Sequence, residues 1–349
     1  PNLNDVAGDT SGAVTGTLTT TTSAQAATLT TLNSDQIALT ITDGLGNSDI
    51  ANVNTAAGAT GAAVTATITG VNAGQANVLT TTNADQITIT LSAGTATATV
   101  LNSLDGKTGQ NVGAANLTDI SGSSSELVQV ISGGITRAAA HTISVGGTLN
   151  NAGIGDLNTI VAATNGAVTA TVSNVTSNQA LALNSLNSDL ITVNIAGSST
   201  ALATELTTVD GKTGVAVNAT AAGITINGTL TQVTAIRDAA GIDQGTVYAS
   251  TITGGAMDQT DITNLNLLVN ETSGVVTGSL TADVVANSAT ITSDNNDLLA
   301  ITITAPMTAG DIANLTQTAT RTGGVVTGTI AATAAQAKTL GTNNDDLIT

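Results

Sequence analysis

Hydrophobic and polar residues alternate in short runs that keep returning along the chain: "DQIALTIT" from Asp35, "DQITITL" from Asp85, "DLITVNI" from Asp189, "DLLAITIT" from Asp297 and "DDLIT" at the end. Val, Ile, Leu and Thr at a period of two suit a pleated surface with one buried face, so each run predicts a strand. A second set of alternating runs, "SGAVTGTL", "GAAVTATI", "NGAVTATV", "SGVVTGSL" and "GGVVTGTI", places equivalent valines at Val14, Val64, Val168, Val276 and Val326. Asp35, Asp85, Asp189 and Asp297 each lie 21 residues after their valine, and Asp346 lies 20 after. Two looser copies, "KTGQNVGAANL" and "KTGVAVNATAA", supply Val112 and Val217. The seven anchors then follow at 50, 48, 56, 49, 59 and 50 residues, an internal repeat of about 52 that carries two strands per copy.

The segments between strands change rhythm. In "TSAQAATLTTLNSD" Ala26, Leu29 and Leu32 recur every three residues after Ser23, a residue type suited to an N-cap, and "VTSNQALALNSLNSD" repeats the pattern with Ala180, Leu183 and Leu186. The other connection, written "SDIANV", "TELTTV" or "GDIANL", sets an acid before an apolar pair, as Asp311 precedes Ile312 and Leu315. An acid there would sit near the positive end of a short helix. The third and fifth copies replace the Asp-led strand with "LTDISGSSSELVQVI" and "ITINGTLTQVTAI", so two repeat types run A-A-B-A-B-A-A.

A bead of about 52 residues with no disulfide buries too little to stand alone, so the copies must lean on one another. The expected fold is a repeat solenoid of stacked parallel β-strands with short helical or extended returns, β-solenoid or leucine-rich-repeat-like, running through residues 1–349 as one continuous array. Tandem β-sandwich modules are the alternative, disfavoured because sandwich strands recur every 8–12 residues. Both ends read as cut from a longer chain.

Composition narrows the core. The chain is 41% hydrophobic, yet it has no Phe, Trp or Cys, one Tyr and one His, so Ala, Val, Leu and Ile must fill a core that is thin throughout. Net charge is −18, and the six cations, Lys107, Arg137, Lys212, Arg237, Arg321 and Lys338, are scattered singly, which argues against a nucleic-acid partner. No apolar run is long enough to span a membrane.

Candidate chemistry is sparse. "LDGKTG" at Leu104–Gly109 returns as "VDGKTG" at Val209–Gly214, and Gly-Lys-Thr suggests a phosphate loop. That motif needs a glycine five residues before the Gly of Gly-Lys-Thr, where this chain has Leu101 and Leu206, and a strand in front, where this chain has a helical pattern. A turn with a solvated lysine is the expectation instead. His141 reads as a surface or strand-edge residue, Tyr248 occupies a comparable strand in the other B repeat, and Met257 and Met307 read as filler. The recurring pairs Asn33 and Asp35, Asn83 and Asp85, Asn187 and Asp189, Asn295 and Asp297, and Asn344 and Asp346 are candidate oxygen ligands for Ca²⁺, the one cofactor the chain suggests. Capping of the turn before each strand is the better explanation of the two. Six Asn-x-Thr sequons, at Asn116, Asn174, Asn218, Asn227, Asn270 and Asn314, are what chance supplies in a chain this rich in Asn and Thr.

"LNSLDGKTG" with "LTDISGS" at 101–123, and "LTTVDGKTG" with "ITINGT" at 206–229, resemble tandem units of very large cell-surface and secreted proteins of bacteria, the cyanobacterial type with L-x-x-L-D-x-x-T-x-G-x-V repeats. The resemblance implies an extracellular structural, adhesive or motility-related role and carries over no catalytic residue. The expected function is a non-enzymatic extracellular protein that builds a fibre, sheath or surface layer through lateral or head-to-tail self-association, with cell-surface polysaccharide as a second partner. The alternative is the stalk of a large adhesin presenting a binding module elsewhere. Sugar-cleaving solenoids need an aromatic platform beside their acids, which this chain lacks.

Overall fold

A computed structural model describes residues 3–294, 296–343 and 345–349. The chain divides into two units, residues 1–147 with 155–170, and residues 148–154 with 171–349. The described strand pairings are parallel, the arrangement of stacked coils and not of antiparallel sandwiches.

In the first unit the strands Thr15–Thr21, Gln36–Ile41, Val64–Val71, Gln86–Leu91, Val112–Ala114 and Ile135–Arg137 pair in that order. The sequence "VTATITGV" shows why. Val64, Ala66 and Ile68 point into the core while Thr65, Thr67 and Thr69 face solvent. Register keeps like against like, with Ile68 opposite Ile89, Thr67 opposite Thr88 and Thr69 opposite Thr90. After Val71 the chain turns through a single helical turn, Ala73–Ala76, then returns in extended form to the next strand. The alternate return is a longer helix such as Ala98–Asp105, which buries Ala98, Leu101 and Leu104. The core is made of Ala, Val, Leu and Ile, as the composition requires.

The short helices differ from expectation in two ways. Thr22, not Ser23, is the N-cap, in a reciprocal box with Gln25, and Ser23–Ala26 is only four residues long. Asn72, Thr176 and Thr333 cap their helices in the same way, each with a glutamine three residues on. Because the helix stops after one turn, the three-residue rhythm does not carry through. Leu183 is buried, but Leu32 and Leu186 are 69% and 66% exposed. Ser23 is instead turned inward, where its hydroxyl donates to the Asp49 carboxylate of the next return at 3.0 Å. Ser177 and Glu205 make the equivalent pair in the second unit. The acid before the apolar pair therefore ties one coil to the next as well as favouring its own helix.

Asparagines make a further tie. Asn54 donates to the carbonyl of Val78 at 2.9 Å and accepts from the Thr80 N–H at 2.8 Å, so its amide mimics a strand's backbone. Asn4 does the same with Thr28 and Thr30, and Asn266 with Thr290 and Thr292.

The B repeats break the strand in two. In the first unit Val112–Ala114 continues the first stack, whereas Leu117–Gly122 pairs with Gly94–Thr97 and Thr142–Leu149 in a second stack. In the second unit Val217–Asn218 pairs with Ile242–Asp243, and Thr225–Gly228 lies between Thr200–Leu202 and Ala249–Met257. That stack continues through Val276–Ala282, Leu298–Ile303, Val326–Gly328 and Leu347–Ile348. B repeats are thus where the chain passes from one stack to another.

His141 and Tyr248 sit at equivalent places in that passage. His141 is 2% exposed, which corrects its reading as a surface residue, and its Nδ1 lies 2.7 Å from the Ala138 carbonyl. Tyr248 is 1% exposed, and burial pushes its phenol up to about 12. The carbonyl of each accepts a hydroxyl hydrogen bond from the next coil, from Thr164 and Thr272 respectively. The core takes His141 and Tyr248 where the stacks change over, and is aliphatic with Met257 and Met307 elsewhere among the described residues. Beside Tyr248, Ser250 is fully buried with its hydroxyl unpartnered. An unpaired buried hydroxyl costs stability, so Ser250→Ala should raise the urea midpoint by an amount equivalent to about 1 kcal/mol.

Candidate functional site

The recurring aspartates have a common geometry. One carboxylate oxygen of Asp35, Asp85, Asp297 and Asp346 accepts from the backbone N–H of Val14, Val64, Val276 and Val326, at 2.8, 2.9, 2.8 and 2.8 Å. The other oxygen of Asp35, Asp85 and Asp346 accepts from the N–H three residues earlier, on Leu32, Thr82 and Asn343, at 2.9, 2.9 and 2.8 Å. Asp189 closes the same local turn onto Leu186 at 2.9 Å. A single side chain thus shuts its own turn and satisfies the opening N–H of the strand one coil back. That double duty is the physical content of the 21-residue register.

The four aspartates Asp35, Asp85, Asp189 and Asp297 are buried, at 4–8% exposure. Backbone donors from Val14 and Leu32 hold the Asp35 carboxyl below the ordinary carboxylate range. Asp297 moves the other way: burial pushes it up, and the neighbouring Asp294 carboxylate adds to this. Asp294 stands where earlier repeats have Leu32 or Leu186. Asn33, Asn83 and Asn187 are exposed. Asn295 and Asn344 lie outside the described residues.

A groove of about 330 Å³ brings Asn33 together with Asp85, and Thr60, Gly61 and Thr82 complete its polar wall. An equivalent groove of about 330 Å³ in the second unit is lined by Asn270, Thr272, Ser273, Asp294 and Asp297. Among the described residues no three His, Asp or Glu side chains converge as a metal-binding group. In the first groove both oxygens of Asp85 already accept backbone hydrogen bonds. These bonds occupy two of the carboxylate's roughly four acceptor positions.

The two DGKTG segments follow the helices Ala98–Asp105 and Ala203–Asp210 and precede the strands Val112–Ala114 and Val217–Asn218. This order is the reverse of a phosphate loop's. The threonine and the closing glycine of the turn have packing roles. The buried Thr108 hydroxyl donates to the Ile87 carbonyl at 2.7 Å and accepts from the Ile87 N–H at 3.0 Å. Thr213 does the same with Ile191, Thr60 with Ile37 and Thr322 with Leu299. Gly214 donates to the Asp189 carbonyl at 2.7 Å, and a Cβ there would lie 2.6 Å from the Asn187 carbonyl oxygen.

The lysines are not solvated, contrary to the sequence reading. Lys107 is half-buried with its ammonium on the Asn77 carbonyl and amide oxygen, and Lys212 donates to the carbonyls of Leu181 and Leu183. These carbonyls follow one-turn helices too short to satisfy them, so the ammonium takes the place of a capping donor. Lys212→Met should therefore lower stability by about 1 kcal/mol in urea unfolding. Met257 and Met307 are buried at 2% and 3% exposure, as filler residues would be.

The threonine ladder is what sequence reasoning passed over. Its signal was present, since "GATG", "GKTG", "GKTG" and "RTGG" share a threonine although their other residues vary.

Comparison with protein-family models, with curated proteins and with solved structures gave no match.

Proposed function

We propose that this chain is a non-enzymatic extracellular structural repeat protein, one that builds a fibre, sheath or surface layer by self-association. The observation that supports the reading is the threefold tie between successive coils. Aspartate carboxylates hold strand-opening amides. Threonine hydroxyls bracket one strand residue of the preceding coil, and asparagine amides pair with the next return. Such ties spend the polar side chains on rigidity along the stack and leave few convergent groups for chemistry. A stiff repeat with an acidic surface suits a load-bearing layer outside the cell. Electron microscopy of the native material should show filaments or sheets with a regular repeat. Dispersed compact particles alone would refute the proposal.

The acid response of the stack follows from the same groups. Asp35 and Asp49 are held below the ordinary value of 3.8, mainly by backbone N–H donors from Val14 and Gly46, and Glu126 below 4.5, mainly by the Ser123 hydroxyl. A depressed folded-state carboxyl adds stability that is present above its unfolded value and is lost as pH falls through the folded one. The first unit should therefore keep a constant denaturation midpoint above about pH 5.5 and lose stability progressively below about pH 4.5. Asp297 has the opposite sign, because its carboxyl is raised. Asp297→Asn should therefore flatten no part of the acid limb, whereas Asp35→Asn should flatten it, as followed by circular dichroism against pH.

A further inference from the structure

One face of the first unit carries outward threonines on four successive strands. The outward positions of the strands Thr15–Thr21, Gln36–Ile41, Val64–Val71 and Gln86–Leu91 include Thr15, Thr17, Thr40, Thr65, Thr67, Thr69, Thr88 and Thr90, with no Asp, Glu, Lys or Arg in any of the four strands. On a chain of net charge −18 this is a wide area without an ionised group. In the middle of the array the threonines are in register, with Thr40 opposite Thr65, Thr67 opposite Thr88 and Thr69 opposite Thr90, while Thr15 and Thr17 lie opposite Gln36 and Ala38. Hydroxyls and methyls thus repeat at about 4.8 Å across strands and about 6.6 Å along them. Branching at Cβ restricts each side chain's rotation, which holds the array in place.

We propose that this threonine face binds the surface of crystalline ice. An uncharged lattice of hydroxyls and methyls orders first-layer water in two dimensions, and its two repeats lie near those of oxygen atoms on faces of hexagonal ice. Ionised side chains would impose their own hydration, and none is present. A second copy of the chain fits the face less well. Two such faces meeting would have to pair each buried threonine hydroxyl with one opposite, since any hydroxyl left without a partner is costly. The unit's exposed large apolar residues, Val6, Leu32 and Val78, also lie outside these strands. The inference is independent of the structural role proposed above.

The test uses the full chain. Wild type should show thermal hysteresis, reshape growing ice crystals and partition into the ice phase. Thr67→Lys combined with Thr88→Lys should abolish all three, while Thr55→Lys, on the exposed side of the helix Ile50–Gly58, should leave them unchanged. Circular dichroism reports whether the double variant folds; if it does not, Thr69→Lys alone carries the same test. Absence of hysteresis in folded wild type, or its retention in the folded variant, overturns the proposal. So does a wild-type dimer that the variant dissociates in sedimentation, which assigns the face to a second copy. Retention on insoluble cellulose or chitin that the variant loses, without hysteresis, would likewise assign it to polysaccharide.

Discussion

Gly214→Ala is expected to cost about 3 kcal/mol, whereas Gly211→Ala, three residues earlier in the same DGKTG turn, should be close to neutral. At 214 the added methyl would approach the Asn187 carbonyl oxygen to 2.6 Å and the Asp189 carbonyl oxygen to 3.4 Å, both of them backbone atoms that cannot swing away. At 211 the nearest atom is the Thr208 carbonyl oxygen at 3.5 Å, an ordinary contact, and the backbone is already right-handed helical. Relief of the clash would move the turn outward. That movement would also break the hydrogen bond from Gly214 N–H to Asp189 and strain the Thr213 hydroxyl on Ile191. Urea unfolding of the two variants side by side checks the difference. Equal midpoints would show that the turn is free to shift.

Asp85→Ala should destabilise the first unit by a similar amount, about 3 kcal/mol, because it orphans two backbone donors at once. The Val64 N–H is buried, and the Thr82 N–H closes the turn. Asp85→Asn should recover only part of the loss, since one of its two oxygens becomes an NH₂ that would face a donor. Hydrogen exchange gives the site-specific readout. Protection at the Val64 amide should fall far more than at the Ile68 amide four residues along the same strand. A uniform fall would mean that the repeat unfolds as one body and that the carboxylate has no local role. Repeat stacks are held by neighbour contacts, so loss at one coil is expected to spread first to the coil before it, which carries Val64.

Most of the fold was legible in the sequence because the repeat states the same solution several times. Alternation at Val64–Val71 and Gln86–Leu91 fixed which residues face inward, and the constant interval from Val64 to Asp85 fixed the distance between the ends of one coil. Side-chain direction was harder to see. Leu32 and Leu186 look like core residues at a helical spacing, yet the return leaves its helix after one turn and both point to solvent. Lys107 and Lys212 look like surface charge, yet each reaches back about 30 residues to unsatisfied carbonyls of the preceding coil. His141 and Tyr248 look incidental, yet they occupy the one place in each B repeat where the core takes a ring.

The sequence by itself determined the period, the two repeat types, the parallel stacked character and a core filled almost entirely by aliphatic side chains. All of these follow from local pattern and composition, which hydrophobic burial reads one residue at a time. Only the tertiary structure decided what the polar residues do. Asp85, Thr108, Asn54 and Lys107 each bind backbone atoms 20 to 30 residues away. A hydrogen bond requires a partner at a set distance and angle. That geometry exists only once one coil has been laid on the next.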